Sequence, residues 1–410
     1  MVLQFRLNIV FRDLKILCTY LWVFSIPFHP NLNTYLLVIL FILIIFLKRG
    51  KEEIGKRKLT FILLLPVIPI LYSVIFFLDY DLWFKALESQ SGLFFIPFIY
   101  HFYPKITEKQ VIKRIFKVLI VSVYFAIAIC LIGIFIKLNH WEDPLSYLLH
   151  NPKYQKSYLT TFIGIHPSYI SIYLLFTYVI FNIYFKIKNL LLKVGFDAVN
   201  LFLFILIDSR IGIILFLIHF FYFNFLNYKS KFLGAVFTTI ICVLLFIPDF
   251  KESIINKTNN LNEILRGEGF ENLSDNKSPR LIIYKCWFQL NKRIEPIFGN
   301  GYRWFKEAAL ECYAESNAKS HFDKQYNEHN MYLNIYNRSG IVGLLFFLIP
   351  FIYTVRIKNS VFSSLFHSLI FIMLSFFLVE NVLSVQKGVV FFSFFYGLLL
   401  SAKSTNYVSS

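Results

Sequence analysis

Apolar runs recur along the whole chain, each close to the length a helix needs to cross a bilayer, with short hydrophilic breaks between them. A spanning helix takes roughly 20 apolar residues. About twelve segments qualify on that measure, near 14–29, 31–47, 59–78, 84–103, 113–137, 158–185, 190–207, 211–227, 232–248, 331–354, 361–379 and 386–402. The expectation is an all-α polytopic integral membrane protein. Composition agrees: 57% of residues are hydrophobic and only 16% charged, against about 25% charged in soluble domains.

The net charge of +17 invites a nucleic-acid partner, but the positions of the charges argue against one. Lysines and arginines gather in the breaks around 48–58, 105–117, 186–193, 229–231 and 356–358. Such clustering sets topology through the positive-inside bias. With the N-terminus inside, all of these breaks face the cytoplasm, and the outer turns read HPN, DYD and ENVLSVQ. Basic residues precede the first apolar run, yet no small-residue cleavage site follows, so the sequence predicts an uncleaved first helix.

Four regions are expected: N-terminal membrane helices over 1–194, further helices over 195–248, one long outer-face loop subdomain over 249–330, and C-terminal membrane helices over 331–410. The five cysteines form no CxxC. Cys286 and Cys312 share the long loop and could pair on an oxidising face or stay as thiols; both readings stand. No HExxH, Walker loop or DxD pair suggests a metal or nucleotide site.

Several residues carry possible chemistry. Arg210, in "IDSRIGIILFL", falls at membrane depth, where an ionisable group is costly; it either binds something or snorkels, with Asp208 as a local neutraliser. In "DNKSPRLIIYKCWFQL", Ser278 and Pro279 suit the start of a helix, and Arg280 follows in the first turn. A cation there opposes the helix dipole but makes a phosphate site with the free amides. The turn "EPIFGNGYRWF" needs positive φ at Gly299 and Gly301, and Arg303 beyond it is a phosphate contact or a surface charge. His329, in "YNEHNMYLNIYNRSGIVGLLFF", sits at the outer boundary, where its near-neutral titration suits a general base, with Glu328 or Asn330 orienting the ring. His166 and Pro167 fall roughly two turns inside the sixth span, where Pro167 kinks the helix. Lys85 pairs with Glu88 or reaches a phosphate, and Glu380 is ambiguous. Gly340 and Gly343 suit close helix packing.

Taken in order, "SRIGIILFL", then Arg280 with Trp287 and "EPIFGNG", then "HNMYLNIYNRSGIVGLLFFL", resemble the O-antigen ligase and O-antigen polymerase superfamily of bacterial envelope glycan enzymes. The resemblance covers roughly 195–400, with Ile211 where relatives often carry a smaller residue. It implies a GT-C-like fold in the inner (cytoplasmic) membrane, an active site on the periplasmic face, and no cofactor or required metal. The implied donor is a glycan on undecaprenyl diphosphate and the acceptor a lipid-anchored glycan such as lipid A–core. By the same resemblance Arg210 and Arg280 hold the diphosphate and His329 deprotonates the acceptor, with Arg303, Glu328, Asn330, His166 and Lys85 as supporting candidates. Trp287, Tyr302, Trp304 and Tyr313 are sugar platforms or simply buried.

Three functions follow. A ligase passes a finished polysaccharide to the lipid acceptor; a polymerase adds it to a lipid-linked repeat unit. The single long loop late in the chain favours the ligase. A membrane transporter would show internal repeats and charges along a path, and neither is evident.

Overall fold

The computed structural model describes residues 2–46, 57–77, 80–138, 163–185, 187, 189–207, 209–227, 279–355 and 362–405. These form fifteen α-helices and no strand among the described residues: α1 Val2–Ser25, α2 Pro30–Phe46, α3 Arg57–Leu64, α4 Ile68–Phe77, α5 Tyr80–Phe102, α6 Lys109–Leu138, α7 Pro167–Ile180, α8 Leu190–Ile207, α9 Arg210–Phe221, α10 Pro279–Asn291, α11 Tyr302–Glu315, α12 Lys319–Lys324, α13 Met331–Val355, α14 Ser363–Phe377 and α15 Gln386–Thr405. In hydrocarbon a helix satisfies its own backbone groups, which is why apolar runs of this length take that form.

Five stretches are long and apolar enough to cross a membrane: Thr60–Phe77, Lys109–Gly133, Pro167–Phe185, Leu190–Ile207 and Met331–Thr354. Four shorter apolar helices accompany them: Pro30–Phe46, Arg210–Asn224, Ser363–Phe377 and Gln386–Ala402. The span expected at 232–248 lies outside the described residues. At 158–185 the expectation needs correcting: the helix starts only at Pro167, with residues 151–162 outside the description. Pro167 is the first helical residue rather than an internal kink, because its missing N–H and fixed φ cost nothing there.

The main core is aromatic and aliphatic, with Trp22, Phe176, Phe204, Phe391 and Phe395 fully buried. Helix α15 packs along α5 at its centre. There Gly397 lets the Tyr100 ring lie against the helix backbone, and the Tyr100 hydroxyl donates to the Phe394 carbonyl at 2.5 Å. At the opposite end of α7 from its His166 cap, the buried Lys193–Asp197 ion pair also takes the Tyr178 hydroxyl (3.0 Å) and the Asn224 amide (3.1 Å). A buried pair survives only when its remaining lone pairs are satisfied, and here three helices supply the partners.

A second, smaller core lies outside the main one. It gathers Ile282, Ile283 and Leu290 of α10 with Phe305, Ala309 and Tyr313 of α11. Cys286 and Cys312 are joined by a disulfide across these helices. This unit is fixed to α13 by an interlock. Helix α13 breaks at Ser339 (φ −142°) and Gly340 (φ +59°), and the EPIFGNG turn fits the break. Ile341 and Val342 donate to the Pro296 and Ile297 carbonyls at 2.9 and 3.2 Å, while Asn300 and Gly301 donate to those of Asn337 and Arg338 at 3.0 and 3.2 Å. A side chain at Gly340 would collide with the Ile297 carbonyl, and Gly299 and Gly301 have the positive φ (+72° and +84°) that the sequence predicts.

Candidate active site

Four chain segments converge on one carboxylate, that of Glu380. The first is the start of α7. His166, in extended conformation, caps it, its ring accepting from the Ser168 amide at 3.4 Å. This orients Ser168, whose hydroxyl donates to Glu380 Oε1 at 3.2 Å. The second is the start of α10, where Arg280 Nη2 donates to Glu380 Oε1 at 3.4 Å and to the Val379 carbonyl at 3.2 Å.

The third segment is the turn before α13. Asn330 is the helix cap, its Oδ1 accepting from the Tyr332 and Leu333 amides at 3.0 and 3.1 Å. His329 is held at φ +45°, a left-handed conformation that a non-glycine residue adopts at a cost of about 1–2 kcal/mol. Its Nδ1 lies 3.3 Å from Glu380 Oε2. A carboxylate only accepts, so Nδ1 carries the hydrogen, and in the neutral ring this leaves the lone pair on Nε2. The fourth segment is the turn after α14, which carries Glu380 itself, its amide bonded to the Phe376 carbonyl at 2.9 Å.

Electrostatics follow from this geometry. Burial alone would raise the Glu380 carboxyl. The hydrogen bond from His329 and the positive charges of His329, His166 and Arg280 outweigh it and hold the group below the usual carboxylate range. For His166 the surrounding protein removes solvent, and with the His329 and Arg280 charges this overcomes the pull of Glu380, lowering the imidazole below its ordinary value.

Next to this cluster lies a cavity of about 590 Å³, within the range of small-molecule sites. Its walls include His166, Tyr169, Asn327, His329 and Glu380 on one side of the chain's path, and Asn31, Glu88, Gln386 and Lys387 from other elements.

The expected site residues separate into distinct groups. His329, Arg280 and His166 meet at Glu380. Arg210 is exposed at the first position of α9 and makes no hydrogen bond or ion pair with a described residue. It is nevertheless on the same end of the bundle: Gly212 packs on Ser171, one turn along α7 from Ser168, so that an added Cβ would stand 3.0 Å from that of Ser171. Asp208 lies outside the described residues, as does the Lys85 side chain on α5.

Glu328 does not orient His329. Its buried carboxylate accepts from Asn334 (2.9 Å), Asn337 (3.0 Å) and Asn381 (3.3 Å) instead. Asn337 also accepts from Trp287 Nε1 at 3.0 Å, so one amide network joins α10, α13 and the turn that carries Glu380. Arg303 pairs with Glu307 at 2.9 Å on the surface. Among the aromatic residues of the loop, Tyr313 is buried with its hydroxyl on the Tyr326 carbonyl at 3.3 Å, and Tyr302 lies under the Arg338 guanidinium at 4.2 Å. Packing accounts for both.

Glu380 and Ser168 are the residues that sequence reasoning left without a role. The available signal was a carboxylate directly after an apolar run, in "FFLVENV", on the outer face assigned to His329.

These features define an all-α integral membrane protein with a histidine–carboxylate–arginine cluster at the edge of a cavity. Residues 196–348 match the O-antigen ligase family model. Comparison with curated proteins gives no match. The matched region contains Arg210, Arg280 and His329; Glu380, His166 and the cavity wall at 384–387 lie beyond it.

Proposed function

We propose that the protein is an inverting glycosyltransferase that moves a glycan from undecaprenyl diphosphate to a lipid-anchored acceptor, working on the periplasmic face of the inner membrane in a GT-C-like frame. The observation that carries this reading is the His329–Glu380–Arg280 cluster beside a sugar-sized cavity. An acceptor hydroxyl gives its proton to His329 Nε2 as its oxygen attacks the anomeric carbon. The bond from that carbon to the phosphate oxygen breaks, and the diphosphate leaves with the electron pair. Glu380 holds the ring through Nδ1 and stabilises the imidazolium that forms, the arrangement of an activated base with its orienting group.

Charge grows on the leaving diphosphate, so preorganised cations act where it develops. Arg280 uses one of its three nitrogens on Glu380 and Val379, leaving donors for phosphate. Arg210, exposed and without a partner among the described residues at the same end of the bundle, supplies the second guanidinium.

Ligase and polymerase share this chemistry and differ in the acceptor; the single long loop favours the ligase. The test uses a strain lacking the protein, rescued with wild type or His329→Ala, with surface glycan and undecaprenyl-linked glycan both measured. Loss of laddered lipopolysaccharide with long lipid-linked polymer accumulating, unrescued by His329→Ala, identifies a ligase. Core bearing a single repeat identifies a polymerase. Full rescue by His329→Ala sinks the catalytic assignment and brings the transporter forward.

A further inference from the structure

The cavity has a second cationic wall that the His329 cluster does not use. Lys387 is the second residue of α15, lines the cavity and is 6% exposed. Its ammonium donates to one group, the Ile26 carbonyl, at 3.2 Å. No described carboxylate lies within ion-pair distance of it, although Glu88 and Glu380 line the same cavity. An ammonium has three donors, and burying one without a counter-ion is strongly unfavourable. The charge also stands in the first turn of a helix, where the dipole opposes a cation and favours an anion.

Two features beside it reinforce the point. Ser384 lines the cavity, and its buried hydroxyl has no partner among the described residues. The first amides of α15 have no intrahelical acceptor. Gly388 holds this geometry, since any side chain there would collide with the Val382 carbonyl. Ammonium, hydroxyl and amides together are the donor set of an oxyanion site.

We propose that Lys387, with Ser384 and the leading amides of α15, forms a second phosphate-binding subsite of the cavity, separate from the Arg280 side. Its ligand is a phosphate group, carried either by the donor's lipid diphosphate or by a phosphorylated sugar of the acceptor. The choice between these two sources rests on the glycan-transfer reading; the subsite itself does not.

The test uses the full chain in nanodiscs of zwitterionic lipid, titrated with inorganic phosphate by calorimetry at constant ionic strength. Wild type is expected to show two sites. Arg280→Gln should remove one and Lys387→Gln should weaken the other at least tenfold, while Lys387→Arg retains it. Lys387→Met discards a buried unpaired charge, so it should fold and be more stable than wild type without phosphate. Phosphate should then raise the unfolding temperature of Arg280→Gln but not that of Arg280→Gln/Lys387→Met.

In the Arg280→Gln protein, displacement of phosphate by undecaprenyl diphosphate identifies the donor as the source, and displacement by a hexose 6-phosphate identifies the acceptor. Unchanged phosphate binding in Lys387→Gln, or no displacement by either compound, overturns the proposal. Because the readout is binding, its failure is distinct from a failure of the His329→Ala transfer test.

Discussion

His329 Nδ1 stands 3.3 Å from Glu380 Oε2, and these two residues, 51 apart in the chain, meet only because the turn before α13 and the turn after α14 are tied together. Asn330 Nδ2 donates to the Leu378 carbonyl at 3.1 Å, and Asn381 donates to Glu328 at 3.3 Å. His329 is therefore oriented by a residue from a different helix hairpin.

Glu380→Gln keeps the size of the side chain but cannot balance an imidazolium. Transfer should fall by about 10²-fold or more, the scale of general-base assistance, with the KM for donor changing far less than kcat. Steady-state transfer with purified lipid-linked donor measures this. An unchanged kcat would remove Glu380 from the mechanism.

Acid should loosen the same cluster. Because Glu380 is held below the ordinary carboxylate range when folded, its contribution to stability is complete above that ordinary range and is lost as pH falls through the depressed folded value. Thermal unfolding of the wild type should drop with acidification in that window, and Glu380→Gln should flatten part of the drop. A parallel pH curve for the variant would count against this linkage.

His329 carries backbone strain that glycine would not. His329→Gly and His329→Ala both lose the Glu380 contact and should abolish transfer, but the glycine variant should be about 1 kcal/mol the more stable of the two, because only glycine takes φ +45° at no cost. Unfolding temperature and transfer rate measured on one preparation separate these effects. A His329→Gly protein no more stable than His329→Ala would remove the strain argument.

Glu328→Ala would leave the amide donors of Asn334, Asn337 and Asn381 without their acceptor. Unsatisfied buried donors cost about 1–3 kcal/mol each, so a loss of several kcal/mol is expected, seen as a lowered unfolding temperature and earlier proteolysis between 279 and 330. Glu328→Gln, which still accepts through one oxygen, should lose less.

Reduction of the Cys286–Cys312 bond should destabilise the small outer core. The bond closes 26 residues, worth about 3.5 kcal/mol in the chain-entropy treatment. Cysteine→serine pairs and thiol-reactive labelling from the outer face would show it; free thiols in the native protein would contradict the pairing.

The linear sequence determined what could be read from period and boundary: helices from apolar runs, the start of α10 at Pro279, positive φ at Gly299 and Gly301, and His329 and Arg280 as chemical candidates. Those features are local, set by hydrophobicity, ring closure in proline and the absence of a Cβ. Which residue serves which partner was decided by packing. Glu328, adjacent to His329, turns inward to three asparagines, whereas Glu380 reaches the ring from the turn after α14. The EPIFGNG turn looks like an ordinary loop signal and Gly340 like a helix-packing glycine, yet they form one interlock through four backbone bonds. Lys387, directly after the outer turn ENVLSVQ, is buried in the cavity wall because α15 begins where the turn between α1 and α2 closes over it. Non-local pairings of this kind depend on where helices cross in space, and one-dimensional periodicity carries no record of that.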